Sequence, residues 1–458
     1  MNIQKTANPE KELNDPAEVK PRGGSDECRY VHSMTMSESP MFGSNLMEAI
    51  LDRNNLKRAL RRVNSNKGAP GVDGMTVEEL PGYLKENRAH IKEQLLRGEY
   101  QPNVVRRVEI PKPGKKDKRR LGIPTCLDRF IQQAILQVLQ RQWDDRFSES
   151  CFGFRPRRSA HQAVRRSQEY IRSGYDSVVD IDLEKFFDHV NHDRLMSSLA
   201  RQIEDKLVLK LIRAYLTAGI LDNGLVSTPT EGTPQGGPLS PFLSNVVLDE
   251  LDKELEKRGH RFVRYGDDCN IYVRTQRAGE RVMHSITRFI EKKLKLRINS
   301  GKSAVGDPRK RKFPGFSFTG GRQPNRIKIA ETSIKRFRSR IRQITRRNKG
   351  RSVLNVVEQL AWYLNGWKGY FRLAETFTIF RDPDSRIRRR LRSLYWKQWK
   401  VYQKRKKELI SRGVPEDLAQ PAAWSAKGCW RMSNWKAIQL ALPNKHFDNM
   451  GLPRLVNL

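Results

Sequence analysis

The spacing of apolar residues divides the chain into blocks. From Asn45 to Val63, Leu46, Ile50, Leu56 and Leu60 recur on one side, which predicts a helix broken by SNKGAPGVDG. Two short strands follow within YQPNVVRRVEIPKPGKKDKRRLGIPT, joined by a basic Pro/Gly turn. Leu127 to Leu139 reads as a buried helix, Ser177 to Ile181 as an apolar strand running towards a helix start near Lys185, and Leu207 to Ala218 and Pro241 to Leu255 as further helices. Phe262 to Tyr265 and Cys269 to Val273 are β-prone runs on either side of Gly266, Asp267 and Asp268, the pattern of a hairpin. A helix over Val282 to Leu294, a strand over Leu296 to Ile298 and a strand in FPGFSF come next. Past Gly320 helices dominate, among them Ser333 to Arg347 and Ser385 to Lys400. The prediction is an α+β chain with an antiparallel sheet flanked by helices, followed by a helical region. Residues 1 to 42 mix Pro, Gly, Ser, Glu and Met without a period and predict a mobile tail.

Charge narrows the partner. The 458 residues carry a formal net charge of +37, a field that a small anionic metabolite does not need and that an extended polyanion does. Residues 331 to 410 concentrate it, with 23 Lys and Arg against 6 Asp and Glu. Trp362, Tyr363, Trp367, Tyr370, Phe371, Tyr395, Trp396 and Trp399 are interleaved at helical spacing, which makes them core residues first and base-stacking platforms second. A solvated charged face is the plainer reading of that region. A face of nearly one sign repels itself, however, and argues for nucleic acid. An acidic membrane surface is the other anionic partner, but no apolar run approaches the roughly 20 residues that span a bilayer. The N-terminus also lacks the apolar core of a signal peptide, so a soluble intracellular protein is expected. Cys28, Cys126, Cys151, Cys269 and Cys429 lie far apart with no C-x-x-C pair, implying neither a zinc site nor a disulfide framework.

Two acidic stretches carry candidate chemistry. At the hairpin bend, Asp267 and Asp268 repel by roughly 4 kcal/mol if about 4 Å apart in a medium of dielectric near 20, a cost that a divalent cation reverses. A surface turn also uses Gly and Asp, and these residues alone leave the two readings even. SVVDIDLEKFFDHVNHD shifts the balance, because Asp182 leaves its strand on the same side as the hairpin acids if the two segments share a sheet. Three carboxylates from two strands can hold two Mg²⁺ ions, the arrangement that activates a 3′-hydroxyl and stabilises pyrophosphate in template-directed polymerisation. Arg106, Lys112, Arg119 and Arg120 crowd the basic hairpin, suiting a triphosphate or template backbone, although charged hairpins also keep edge strands soluble. In EGTPQGGPLSP, Gln235 offers an amide and Gly236 and Gly237 admit close backbone approach.

Taken in order, GAPGVDG, RRVEIPKP, LGIP, FGFRP, DLEKFFDHVNHD, TPQGGPLSP, YGDD and FPGFSF resemble the reverse transcriptase and maturase of bacterial group II introns, in particular the compact class C type without an endonuclease domain. The resemblance covers residues 43 to 458. It implies a right-hand polymerase, with fingers and palm including an N-terminal extension over 43–320, a helical thumb or maturase domain over 321–412 and a nucleic-acid-binding segment over 413–458. By position it assigns Asp182, Asp267 and Asp268 to two Mg²⁺ ions, Arg106 and Lys112 to the triphosphate, and Gln235 to the nucleotide pocket. Phe187 becomes a steric gate against a ribose 2′-hydroxyl, favouring dNTPs, and Lys302 a proton donor to pyrophosphate. The loop near Gly68 to Gly74 becomes a template grip. The implied partners are group II intron RNA, an RNA template with a DNA primer, dNTPs and target DNA, in a bacterial cytoplasmic ribonucleoprotein associated with the nucleoid. Ala is the more usual residue where Gly266 stands, and that small-for-small exchange is expected to be tolerated. Ending at Leu458 without a Cys- and His-rich nuclease module, the chain is expected not to cleave the second strand. Two other functions fit the same features: a non-polymerising RNA-binding splicing cofactor, and a domesticated reverse transcriptase serving CRISPR adaptation or DNA repair.

Overall fold

The computed structural model describes residues 43–111, 118–222, 224–376 and 381–455, so the tail expected over residues 1 to 42 lies outside the described residues. The strands are β1 (Val105–Pro111), β2 (Lys118–Ile123), β3 (Ser177–Ile181), β4 (Ile220–Asp222), β5 (Leu225–Ser227), β6 (Arg261–Tyr265), β7 (Asp268–Val273), β8 (Ala304–Gly306), β9 (Phe316–Phe318) and β10 (Ile327–Ile329). They form a fingers sheet in the order β2-β1-β4-β5, a palm sheet in the order β6-β7-β3-β8, and the pair β10-β9.

Alternation along the palm strands dictates its layers. Side chains on a strand point to opposite faces in turn, so an apolar strand serves two cores. Val179, Ile181, Phe262, Cys269 and Ile271 enter one core with the 126–143 and 240–257 helices. Val178, Val263 and Tyr272, on the other face, meet the 160–172 helix and the thumb. That second core runs on through Phe337, Leu360, Leu391 and Trp396 of the thumb to Ile438, Leu442 and Phe447. Arg388, buried between these parts, pairs with Asp384 at 2.6 Å and Asp448 at 2.7 Å and so ties the 444–449 helix to the thumb. Trp396 and Trp399 are buried as their spacing predicts, whereas Trp362 is 56% exposed.

Two local expectations change. The helix expected over 45 to 63 is two helices, Leu46–Ile50 and Arg53–Asn66. Asp52 divides them by accepting hydrogen bonds from the Asn54 and Asn55 amides at 2.8 and 3.1 Å, an N-cap that starts a new helix. The strand expected over Leu296 to Ile298 reduces to a single bridge between Leu183 and Ile298. The partner of β3 on that side is β8, which pairs Val178, Val179 and Asp180 with Gly306, Val305 and Ala304.

Candidate active site

The site is assembled by register. β3 runs antiparallel to β7 with Ile181 opposite Cys269, so the next residues outward are Asp182 and Asp268. Paired residues at such a position have Cα atoms about 5 Å apart. β6 and β7 pair through Tyr265 and Asp268, leaving Gly266 and Asp267 as a two-residue turn. Gly266 has φ +68°, the left-handed value that type II′ hairpins place at their first central residue. The three acids therefore stand at one end of the palm sheet on neighbouring strands.

Their charges interact. Loss of hydration in the crowded cleft raises the Asp267 carboxyl above its ordinary value, Asp182 raises it further, and Arg119 and Lys302 oppose the rise. Asp268 is partly exposed, yet desolvation followed by the charges of Asp267, Asp182 and Asp180 pushes it up to about 6. Asp182 has a cation of its own: Lys302 Nζ lies 2.7 and 3.0 Å from its two carboxylate oxygens. As placed, no group of three His, Cys, Asp or Glu side chains among the described residues is arranged to hold a metal ion. The fit of a divalent cation rests on the donor set: two adjacent carboxylates burdened by like charge, and a third neutralised by a side chain able to swing away.

The hairpin is clamped from behind. The FGFRP loop runs beside β6, with the Phe152 amide donating to the Arg264 carbonyl and the Arg264 amide donating to the Ser150 carbonyl, both at 2.9 Å. Gly153 lies so close to the turn that a Cβ there would meet the Gly266 nitrogen at 2.1 Å. Arg264 is fully buried and bonds Asp252 at 2.7 and 2.5 Å, Asn245 Oδ1 at 2.9 Å and the Gly266 carbonyl at 3.0 Å. Asn245 in turn donates to the Gly153 carbonyl at 2.8 Å. Sequence reasoning did not single out Gly153, Asn245, Asp252 or Arg264. An arginine in a strand otherwise facing the core was the available signal, since a buried guanidinium needs a buried acid. Asp180 was also missed. It faces Arg311 at 3.8 Å, and burial pushes its carboxyl up to about 6.

A cavity of about 260 Å³ opens between the palm and the fingers sheet, lined among others by Arg107, Arg120, Lys185, Phe187, His189 and Gln235. Phe187 and Gln235 thus share one wall system. Arg106 does not: its guanidinium donates to the Pro70 carbonyl at 2.7 Å. Neighbouring strand residues face opposite sides, so Arg107 takes the cavity side together with Arg120. Lys112 lies outside the described residues. Of the cluster in FGFRPRR, Arg155 is a structural residue, buried and bonded to Asp144 at 2.8 Å and the Ser148 carbonyl at 2.6 Å. The GAPG loop packs on the 126–143 helix, where Arg129 donates to the Ala69 carbonyl at 2.8 Å.

Residues 110–318 match the family model of reverse transcriptase (RNA-dependent DNA polymerase), and residues 334–412 match the maturase-specific domain of group II introns. Protein YkfC of Escherichia coli is 33% identical over 307 residues, covering 58% of this chain and 79% of that protein. The chain belongs to the group II intron-encoded reverse transcriptases. Group II intron-encoded protein LtrA of Lactococcus lactis is 37% identical over 195 residues, 43% of this reverse transcriptase but 32% of LtrA. The chain thus spans most of one such relative and about a third of the other. A chain solved in a partial Cas6-RT-Cas1–Cas2 complex is 25% identical at a TM-score of 0.36, covering 54% of this chain and 42% of that one. The family's polymerase domain uses divalent metal ions, and its maturase domain implies binding of intron RNA. Among the described residues, no helix is long and apolar enough to cross a membrane.

Proposed function

We propose that this reverse transcriptase extends a DNA primer on an RNA template from dNTPs, with Asp182, Asp267 and Asp268 holding two Mg²⁺ ions, and that it binds group II intron RNA to assist splicing and retrohoming. The observation that carries the reading is the β3–β7 register, which sets Asp182 beside the Asp267–Asp268 turn. Bound there, the ions would supply Lewis-acid stabilisation of charge on the attacking and leaving oxygens.

The chain's own residues do the rest. Arg107 and Arg120 bring two guanidiniums to the cavity wall for the triphosphate, and Arg107, which bonds Asp222 at 3.0 Å, would exchange that carboxylate for phosphate oxygens. Phe187 occupies the sugar side and excludes a 2′-hydroxyl by bulk, while Gln235 lies under the nucleobase. Lys302, paired with Asp182 at 2.7 Å, would be released if that carboxylate held a cation and could then give its proton to pyrophosphate. The thumb over 321–412 and the segment over 413–458 present the basic surface to intron RNA and target DNA. Such a particle works where intron transcript and DNA meet, in the bacterial cytoplasm at the nucleoid.

Replacing Asp267 and Asp268 together by alanine tests this reading. Primer extension is expected to vanish while intron RNA binding and splicing persist. Equal loss of all three activities refutes the division of labour.

A further inference from the structure

The turn that carries Phe187 is fastened to the loop that carries Gln235, and two histidines do part of the fastening. Phe187 lies in a single tight turn, Phe186–Asp188, whose other ring, Phe186, is buried. The loop 231–237 runs alongside it. The Gly232 amide donates to the Val190 carbonyl at 2.8 Å and the Thr233 amide to the Phe187 carbonyl at 2.7 Å. Gly232 has φ +92°, and a Cβ there would meet the Phe187 and Asp188 carbonyls at 2.9 Å. On its far side the same loop is held to β2, where the Gly122 amide donates to the Gln235 carbonyl at 2.8 Å.

The side-chain contributions lie at the near end. His192, buried at the start of the 192–200 helix, places Nε2 2.6 Å from the Gly232 carbonyl. A carbonyl only accepts, so Nε2 carries the proton. His189 Nδ1 lies 2.9 Å from the Glu231 carboxylate, one residue earlier in the loop. His189 also lines the cavity beside Phe187, whereas His192 does not reach it.

We propose that His192 is a positioning residue for sugar selection. Its hydrogen bond fixes the Gly232 peptide, the Gly232 and Thr233 amides fix the backbone of the Phe187 turn, and the distance between the gate and Gln235 follows. Without the bond a buried carbonyl loses its partner, the loop re-seats, and the gap that excludes a 2′-hydroxyl widens. The inference rests on the reading of the cavity as a dNTP site with Phe187 as gate, and the test separates the two.

Single-nucleotide primer extension gives kcat/KM for a dNTP and for the matching rNTP, and their ratio is the readout. His192→Leu keeps the bulk and removes the donor; its ratio is expected to fall by about ten-fold, the value of one buried hydrogen bond. His192→Gln returns an N–H close to the original Nε2 and is expected to restore most of the ratio. Phe187→Ala is expected to lower the ratio further. In the Phe187→Ala background His192→Leu should then change it by less than about two-fold, because a residue acting only through the gate has nothing left to position. Glu231→Ala, changed at an exposed carboxylate, should lower the ratio by about two- to three-fold and keeps the test open if His192→Leu fails to fold. If Phe187→Ala lowers the ratio while His192→Leu and Glu231→Ala leave it unchanged, the inference is overturned and the gate stands. If Phe187→Ala leaves the ratio unchanged, the gate reading falls and takes this inference with it. Equal effects of His192→Leu in both backgrounds would mark a merely structural role and also overturn it.

Discussion

Gly153→Ala probes how the Asp267–Asp268 hairpin is held. The new Cβ would stand 2.1 Å from the Gly266 nitrogen, 2.9 Å from the Tyr265 carbonyl carbon and 3.0 Å from the Gly266 Cα, all of them backbone atoms. Ordinary contact begins near 3.4 Å, so the FGFRP loop and the turn must separate by about 1.3 Å. Neither side yields freely. Phe152 is bonded to the Arg264 carbonyl, the Gly153 carbonyl accepts from Asn245, and the Gly266 carbonyl accepts from buried Arg264. Strain of this kind costs about 1–3 kcal/mol. The part of the separation taken by the turn displaces Asp267 and Asp268, and a misplacement of about 1 Å lowers turnover on the order of 100-fold. Saturating-dNTP primer extension measures the second effect and thermal unfolding the first. Gly82→Ala is the control, since a Cβ there meets nothing within 4 Å and sits in the 80–97 helix, where Ala is the better helix former. A Gly153→Ala enzyme with turnover within two-fold of wild type and an unchanged melting temperature would refute the clamp.

Three further outcomes follow from the same geometry. Asp252→Ala leaves the Arg264 guanidinium buried and unpaired, and urea unfolding should show a loss of about 3–5 kcal/mol; less than about 1 kcal/mol would mean the pair is not a strut. Asp268 has a folded value of about 6, above that of an unfolded aspartate, so ionising it costs stability as pH rises through the interval between them. Without divalent ions Asp268→Asn should therefore melt above wild type at pH 8 and converge with it below about pH 4, and a constant difference across pH would count against the charge cluster. RNA binding by the wild type should weaken on the order of 10³-fold between roughly 50 and 200 mM salt if six or more phosphates are contacted; a filter-binding slope near zero would remove the basic thumb from the interface.

How much of this was legible in the sequence depended on whether local pattern or distant contact decided it. Ser177 to Ile181 appears with the expected bounds because Val178, Val179 and Ile181 are buried on both faces of the sheet, with Asp180 the one charged residue in the run. The hairpin strands were legible because two β-prone runs flank a glycine that tolerates positive φ. The same φ puts a cost on the Ala at 266 that was expected to be tolerated. In this backbone an L-residue there costs about 1–2 kcal/mol, and its Cβ would press on the Phe154 ring at 3.1 Å. Arg106 and Arg107 were indistinguishable in sequence, because strand parity is fixed only when β1 pairs with β2 and β4. Gly153 was illegible for a different reason: its close approach is to a residue 113 positions away in the chain, and nothing beside it in sequence records that contact.

These constraints bear on whether polymerisation or RNA holding shaped the palm. A protein that only grips intron RNA needs a basic surface, and the thumb supplies one on helices packed into the core they share with one face of the palm sheet. It has no use for three carboxylates at one sheet end, where burial and then mutual repulsion raise Asp267 and Asp268 and the negative charge weakens binding to an anionic partner. Nor does it need a backbone-to-backbone contact at Gly153 or a fully buried Arg264–Asp252 pair behind the turn. Both features restrict motion of the acids rather than add charge for RNA. Holding reacting groups to within about 0.5 Å is a requirement of catalysis, and rigid supports behind a strained, like-charged cluster are how a fold meets it. The polymerase reading accounts for both halves of the molecule, whereas the splicing-cofactor reading leaves the palm without a reason.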